Sequence, residues 1–146
     1  MDPYLLVNAL CLLLCALPFL GIIFWFKRRQ SRAYEEARAA IGKAKLLLEE
    51  PTALWVGIDA NGNQSVRGNG ILLLTDEDLY FRQLLPQAEI RITRSDIVRI
   101  ERPDLTKGTG QGRLICAVYL DPDGSEQREA WMVEEHAQWV DALQPS

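Results

Sequence analysis

Between Tyr4 and Phe26 no side chain is charged, and Asn8 is the only clearly polar one. As a helix rising ~1.5 Å per residue, this stretch is long enough to cross a hydrocarbon layer of ~30 Å. A cleaved signal peptide needs a basic start and a small-residue exit. Here the start, Met1-Asp2-Pro3, is acidic, and the exit is Phe24-Trp25-Phe26. A lipoprotein signal needs small residues before its cysteine, but Leu10 and Leu14 precede Cys11 and Cys15. The expectation is a retained transmembrane helix over 4–26 behind a short extracytoplasmic N-terminus, 1–3.

Charge then sets the expected orientation. Lys27, Arg28, Arg29 and Arg32 follow the apolar segment, and no Lys or Arg precedes it. The positive-inside rule implies a single-pass protein of the cell (inner) membrane, with its N-terminus outside and its C-terminal domain in the cytoplasm. Tyr4, Trp25, Lys27, Arg28, Arg29 and Arg32 are the expected membrane-interface residues, beside the lipid bilayer as partner. Pro18 marks an expected kink. Cys11, Cys15 and Cys116 read as small hydrophobes in a reducing compartment, without a CxxC.

Residues 27–50 hold seven basic and four acidic side chains, and 51–146 hold nine and fifteen. A basic collar thus precedes an acidic domain, which argues against a nucleic-acid partner. Within the collar, Tyr34, Ala37, Ile41, Ala44 and Leu48 recur at spacings of three and four. That stripe predicts a stalk helix over Ser31–Glu50, stopped by Pro51. It packs on its own domain or serves self-association.

From 51 onward the pattern turns to strands. Ala53–Ile58, Gly70–Thr75, Leu79–Leu85, Glu89–Thr93, Ile97–Glu101, Arg113–Leu120 and Gln127–Val133 are short, apolar or alternating runs. Ile90 and Ile92 fall on one face, as do Leu114, Cys116, Val118 and Leu120. Asn61-Gly62, Asp76-Glu77-Asp78 and Asp123-Gly124 read as turns. Glu134–Leu143 reads as a helix offering Trp139, Val140 and Leu143 to a core. The predicted fold class is mainly β with helices. A transmembrane helix and stalk lead into a seven-stranded antiparallel barrel or sandwich, 51–146, capped by a C-terminal helix.

The runs Gly70-Ile-Leu-Leu-Leu-Thr-Asp-Glu-Asp-Leu-Tyr-Phe81 and Glu89-Ile-Arg-Ile-Thr-Arg-Ser-Asp-Ile-Val-Arg-Ile-Glu101 resemble GRAM and bacterial pleckstrin-homology-like (PH-like) domains. The resemblance covers roughly 53–143 and extends to the helix with Trp139. It implies a barrel plugged by that helix and a binding module, for lipids in some members and proteins in many. The loop Asn61–Asn69 offers only Arg67, so headgroup binding is not carried over. Arg91, Arg94, Arg99 and Arg102 remain as a possible binding group, or as pairs for Glu89, Asp96 and Glu101.

Two other motifs resemble ligand sites. Arg28-Arg-Gln-Ser-Arg32 and Asn63-Gln-Ser-Val-Arg-Gly68 resemble the paired signatures of PilZ domains, which bind cyclic di-GMP. They make Arg28, Arg32, Asn63, Ser65 and Gly68 possible nucleotide contacts, although a long helical segment separates them. Lys107-Gly-Thr-Gly-Gln-Gly-Arg113 is rich in glycine, but strand alternation follows it, where a phosphate loop needs a helix.

His136 is the only histidine, and no catalytic motif is visible. The acidic run Asp76–Asp78 reads as a solvated turn. No catalysis, cofactor or metal is expected. The functional expectation is a non-catalytic interaction module that recruits or organises a protein partner. The alternative is a sensor of anionic lipid or a cyclic dinucleotide.

Overall fold

The computed structural model describes residues 3–58, 63–102 and 113–144. One long helix comes first, α1 (Pro3–Ile41). Seven strands follow: β1 (Leu46–Ile58), β2 (Gln64–Thr75), β3 (Asp78–Gln83), β4 (Ala88–Thr93), β5 (Ile97–Glu101), β6 (Leu114–Leu120) and β7 (Glu126–Met132). A 3-10 turn, Arg94–Asp96, joins β4 to β5, and α2 (His136–Leu143) closes the chain. The strands form one antiparallel sheet in the order β4-β3-β2-β1-β7-β6-β5. The sheet is open, ending at β4 and β5, where a closed barrel or sandwich was predicted.

The N-terminal expectation needs correction. The apolar segment is not an element of its own. It is the first part of a 39-residue helix that runs on through Lys27, Arg28 and Arg29 to Ile41. Among the described residues, no helix is long and apolar enough to cross a membrane. The transmembrane helix over 4–26 and the inner-membrane placement with its N-out orientation are corrected accordingly. The interface roles given to Tyr4, Trp25, Lys27, Arg28, Arg29 and Arg32 had no other basis.

The helix also ends earlier than its stripe suggests. Gly42 has a φ of +60° and donates to Ala39 O at 3.1 Å, which closes the last turn. A left-handed residue just past a helix is a common stop, and glycine enters it without a Cβ clash. Leu46–Glu50 is then the start of β1, and Pro51 sits inside that strand. The β1–β2 register shifts between Glu50 and Ala53, and a bulge tolerates the missing N–H of proline. Glu50, buried there, accepts from Glu134 N at 2.9 Å and from Thr52 Oγ1 at 3.1 Å.

Two apolar layers hold the sheet. Inside its curve lie Leu72, Leu74, Leu79, Phe81, Ile92, Ile97, Ile115, Ala117 and Trp131, plugged by Trp139, Val140 and Leu143 of α2. Phe81 stands between Trp55 and Trp131, with ring centroids 6.1 and 5.9 Å away. On the other face, Ile71, Leu73 and Tyr80 are covered by Ala33, Tyr34, Ala37 and Ile41 of α1. Tyr34, Ala37 and Ile41 of the stripe therefore pack on the chain's own sheet, whereas Leu48 is on β1 and packs against the inner layer. Two-sided burial explains why Ile71–Leu74 is apolar without alternation. β6 is buried on both faces too: Leu114, Cys116 and Val118 form a cluster with Val56 and Ala130, opposite Ile115 and Ala117. Leu120, expected to join that row, is 43% exposed.

The turns follow local chemistry. Thr75 Oγ1 accepts from Asp78 N at 2.8 Å and Glu77 N at 3.2 Å, so the acidic run is a side-chain-braced β2–β3 turn. Gly124, at φ +84°, donates to Asp121 O at 2.8 Å in the β6–β7 turn. Asn61-Gly62 and the glycine-rich 107–112 lie outside the described residues.

Two measurements test this packing. A Cβ on Gly70 would lie 2.1 Å from Arg82 O, a backbone atom of the neighbouring strand. Gly70→Ala is expected to cost about 1–3 kcal/mol in urea unfolding. Gly21→Ala, with nothing within 4 Å, is the control without a clash. Burial pushes the Cys116 thiol up to about 11. It is expected to resist alkylation in the native protein and to react once the chain is unfolded, read by mass spectrometry.

Candidate functional site

Helical spacing brings Trp25, Arg28, Arg29, Arg32, Ala33 and Glu36 onto one side of α1. Opposite them stand Arg82 and Gln83 at the end of β3, and Leu84 and Gln87 in the β3–β4 turn. Together these residues enclose a cleft of about 310 Å³. A smaller hollow of about 190 Å³ adjoins it, sharing Arg29 and Leu84 and adding Phe26, Gln30, Pro51 and Asn69.

Arg82 holds the cleft together. Its side chain is 15% exposed and pairs with Glu36 of α1 and Glu89 of β4 at once. It lies on the same strand face as Tyr80, two residues before it, which is the face that α1 covers. A guanidinium in a half-dry site needs both partners to offset its lost hydration. Arg29 lies 5.3 Å over the Trp25 ring. Arg28 and Arg32 are exposed, and among the described residues neither forms an ion pair.

The sheet arginines expected as a possible binding group do separate jobs. Arg91 donates to Ala40 O at 2.6 Å, reaches Asp78 at 3.6 Å and lies 5.3 Å over the Tyr80 ring. Arg94 donates to Ala142 O at 2.7 Å and Thr75 O at 3.4 Å. Ala40 and Ala142 sit in the last turns of α1 and α2, where carbonyls lack helical partners and the dipole end is negative. Each arginine thus caps one helix and ties it to the sheet. Arg99 pairs with Glu101 at 2.9 Å and Glu126 at 2.7 Å. Arg102 is exposed just after β5.

The two PilZ-like segments lie in different places. Arg28 and Arg32 line the α1 cleft, whereas Ser65 and Gly68 are on β2, opposite Gly57 and Trp55 of β1. Asn63 immediately precedes β2. Near Gly68, Arg67 lies 5.2 Å over Trp55, whose Nε1 donates to Glu129 at 2.6 Å. Burial pushes the Glu129 carboxyl up, and the Trp55 hydrogen bond opposes that shift. His136 contacts Leu114 O at 3.1 Å.

Sequence reasoning missed Arg82, Gln83 and Gln87. The available signal was an arginine ending a run, Leu79-Tyr80-Phe81, that is buried on both faces. Such a charge demands an acidic partner from whatever covers the strand.

No protein-family model matches the chain, and no curated protein matches it. Solved structures do. The C-terminal domain of an unknown protein from Leishmania infantum superposes with a TM-score of 0.55 at 16% identity, over 77% of this chain and 93% of that one. The Ran binding domain of the nuclear complex component Nup2 from Ashbya gossypii superposes with a TM-score of 0.51 at 18% identity, over 68% and 90%. The fold is PH-like. At these identities the likeness extends to the fold alone.

The cap on α2 can be tested by substitution. Arg94→Ala leaves the Ala142 carbonyl without its charged donor and is expected to cost about 1.5–3 kcal/mol in urea unfolding. Arg102→Ala, on an exposed side chain, is expected to stay within about 0.5 kcal/mol.

Proposed function

We propose that the chain is a non-catalytic protein-interaction module that recruits or organises a partner. The observation that carries this reading is the PH-like fold, shared with a structure named as a Ran binding domain. Binding modules need a rigid scaffold and an unspent surface. The scaffold is the seven-stranded sheet with α2 in its mouth and α1 on its back.

The surface is the forward half of α1. Phe19 is 68% exposed, and Leu12, Leu14, Leu17, Leu20, Ile23 and Phe26 are exposed beside it. Contiguous apolar area of this kind marks a contact site. A protein partner that offers an apolar groove fits a helix of this character.

The test is capture with the full chain as bait, cross-linked and analysed by mass spectrometry. One protein in near-stoichiometric yield, cross-linked to α1, is expected. Phe19→Asp with Ile23→Asp places two charges one turn apart on the exposed surface and is expected to abolish capture while leaving the melting temperature unchanged. Recovery of the bait alone, or capture that survives both substitutions, overturns the reading.

A further inference from the structure

We propose that the cleft between α1 and the β3–β4 turn is a binding site for a small ligand carrying a phosphate monoester or diphosphate group. This goes beyond the interaction module and uses residues that the exposed half of α1 does not.

Charge is the first argument. The protein as a whole is acidic, with a formal net charge of −4. The cleft reverses that sign. Arg28, Arg29, Arg32 and Arg82 line it, against Glu36 alone. Even with Glu89, which reaches Arg82 from β4, four guanidinium groups face two carboxylates. A concave surface of one sign concentrates counter-ions far better than a flat one.

Unspent hydrogen bonding is the second. Arg82 gives its donors to Glu36 and Glu89, and Gln83 gives its amide to Arg67 O and Leu85 O. They form the wall and leave the ligand to others. Arg28 and Arg32, one helical turn apart, keep their forks free of ion pairs among the described residues. Two guanidinium forks ~5–6 Å apart at their Cβ atoms match the oxygens of one phosphate or of two linked ones. The planar fork suits phosphate bidentately, as a lysine ammonium does not.

Size and lining decide the class. A space of about 310 Å³ suits a small molecule and is too compact for an extended acidic segment. Trp25 and Leu84 supply apolar wall, and Trp25 is held face-on by Arg29. A phosphate attached to a compact organic group uses both features. Bare chloride or sulfate would use only the charges.

The test titrates the full chain with inorganic pyrophosphate by calorimetry at low ionic strength. Saturable one-site binding is expected. Arg28→Ala with Arg32→Ala is expected to weaken it at least tenfold, with the melting temperature kept as a check on folding. Lys43→Ala with Lys45→Ala removes the same charge elsewhere and is expected to change affinity less than threefold. No heat, an unaffected Arg28/Arg32 variant, or an equal loss in the lysine variant overturns the proposal. So does a polyglutamate peptide that binds the same site as tightly as pyrophosphate. A second arm uses phosphatidylcholine vesicles containing phosphatidylglycerol. Pyrophosphate binding without vesicle binding makes the ligand a soluble phosphate. Vesicle binding that pyrophosphate displaces, and that the Arg28/Arg32 variant lacks, makes it a phosphorylated head group.

Discussion

The burial of β2 on both faces is the constraint from which the rest of the architecture follows. Leu72 and Leu74 point into the curve of the sheet, while Ile71 and Leu73 point out of it. An outward apolar row on an antiparallel sheet has to be covered. α1 does this with alanines at 33 and 37, whose small side chains let the helix lie close to the strands. The close approach also brings Glu36, in the same turn of α1, beside β3, where it meets Arg82.

Polar groups make this docking specific. Apolar contact alone lets a helix slide along a sheet. Arg82 fixes α1 at Glu36, one turn before its end, and Arg91 fixes its last turn through the Ala40 carbonyl. Three residues on, Arg94 does the same for α2 through Ala142. The arginines of β3, β4 and the turn after them thus register helices against strands. Glu50 contributes in kind, since its carboxylate joins the β1 bulge to the backbone at Glu134.

Much of the β domain was legible because its signals are local. Ile97–Glu101 has the bounds its run suggested, and Asp123-Gly124 forms its turn. The helix with Trp139, Val140 and Leu143 enters the core as its spacing implied. The errors lie where two local signals competed. Leu46-Leu47-Leu48 extends the helical stripe, and Pro51 resembles a helix stop, yet Gly42 ends the helix first. The uncharged run 4–26 suggested a spanning segment, yet among the described residues no helix is long and apolar enough to cross a membrane. Composition does not reveal that the helix continues past it to Ile41 as one element. The cleft was hardest to foresee, because its walls come from residues 25–36 and 82–87 and meet only when α1 docks. The roles of Arg91 and Arg94 were hidden for the same reason: their partners are backbone carbonyls, which carry no sequence signature.

That separation of the walls has a thermodynamic consequence. Arg28 and Arg32 belong to α1, while Gln87 and Arg82 belong to the sheet. The cavity therefore exists only in the docked state. Anything that occupies it binds that state alone and shifts the docking equilibrium by mass action. Reciprocally, a partner that favours the docked state would tighten the cleft by the factor with which a cleft ligand tightens that partner. A ligand in the cleft and such a partner would then be two inputs of one linked equilibrium.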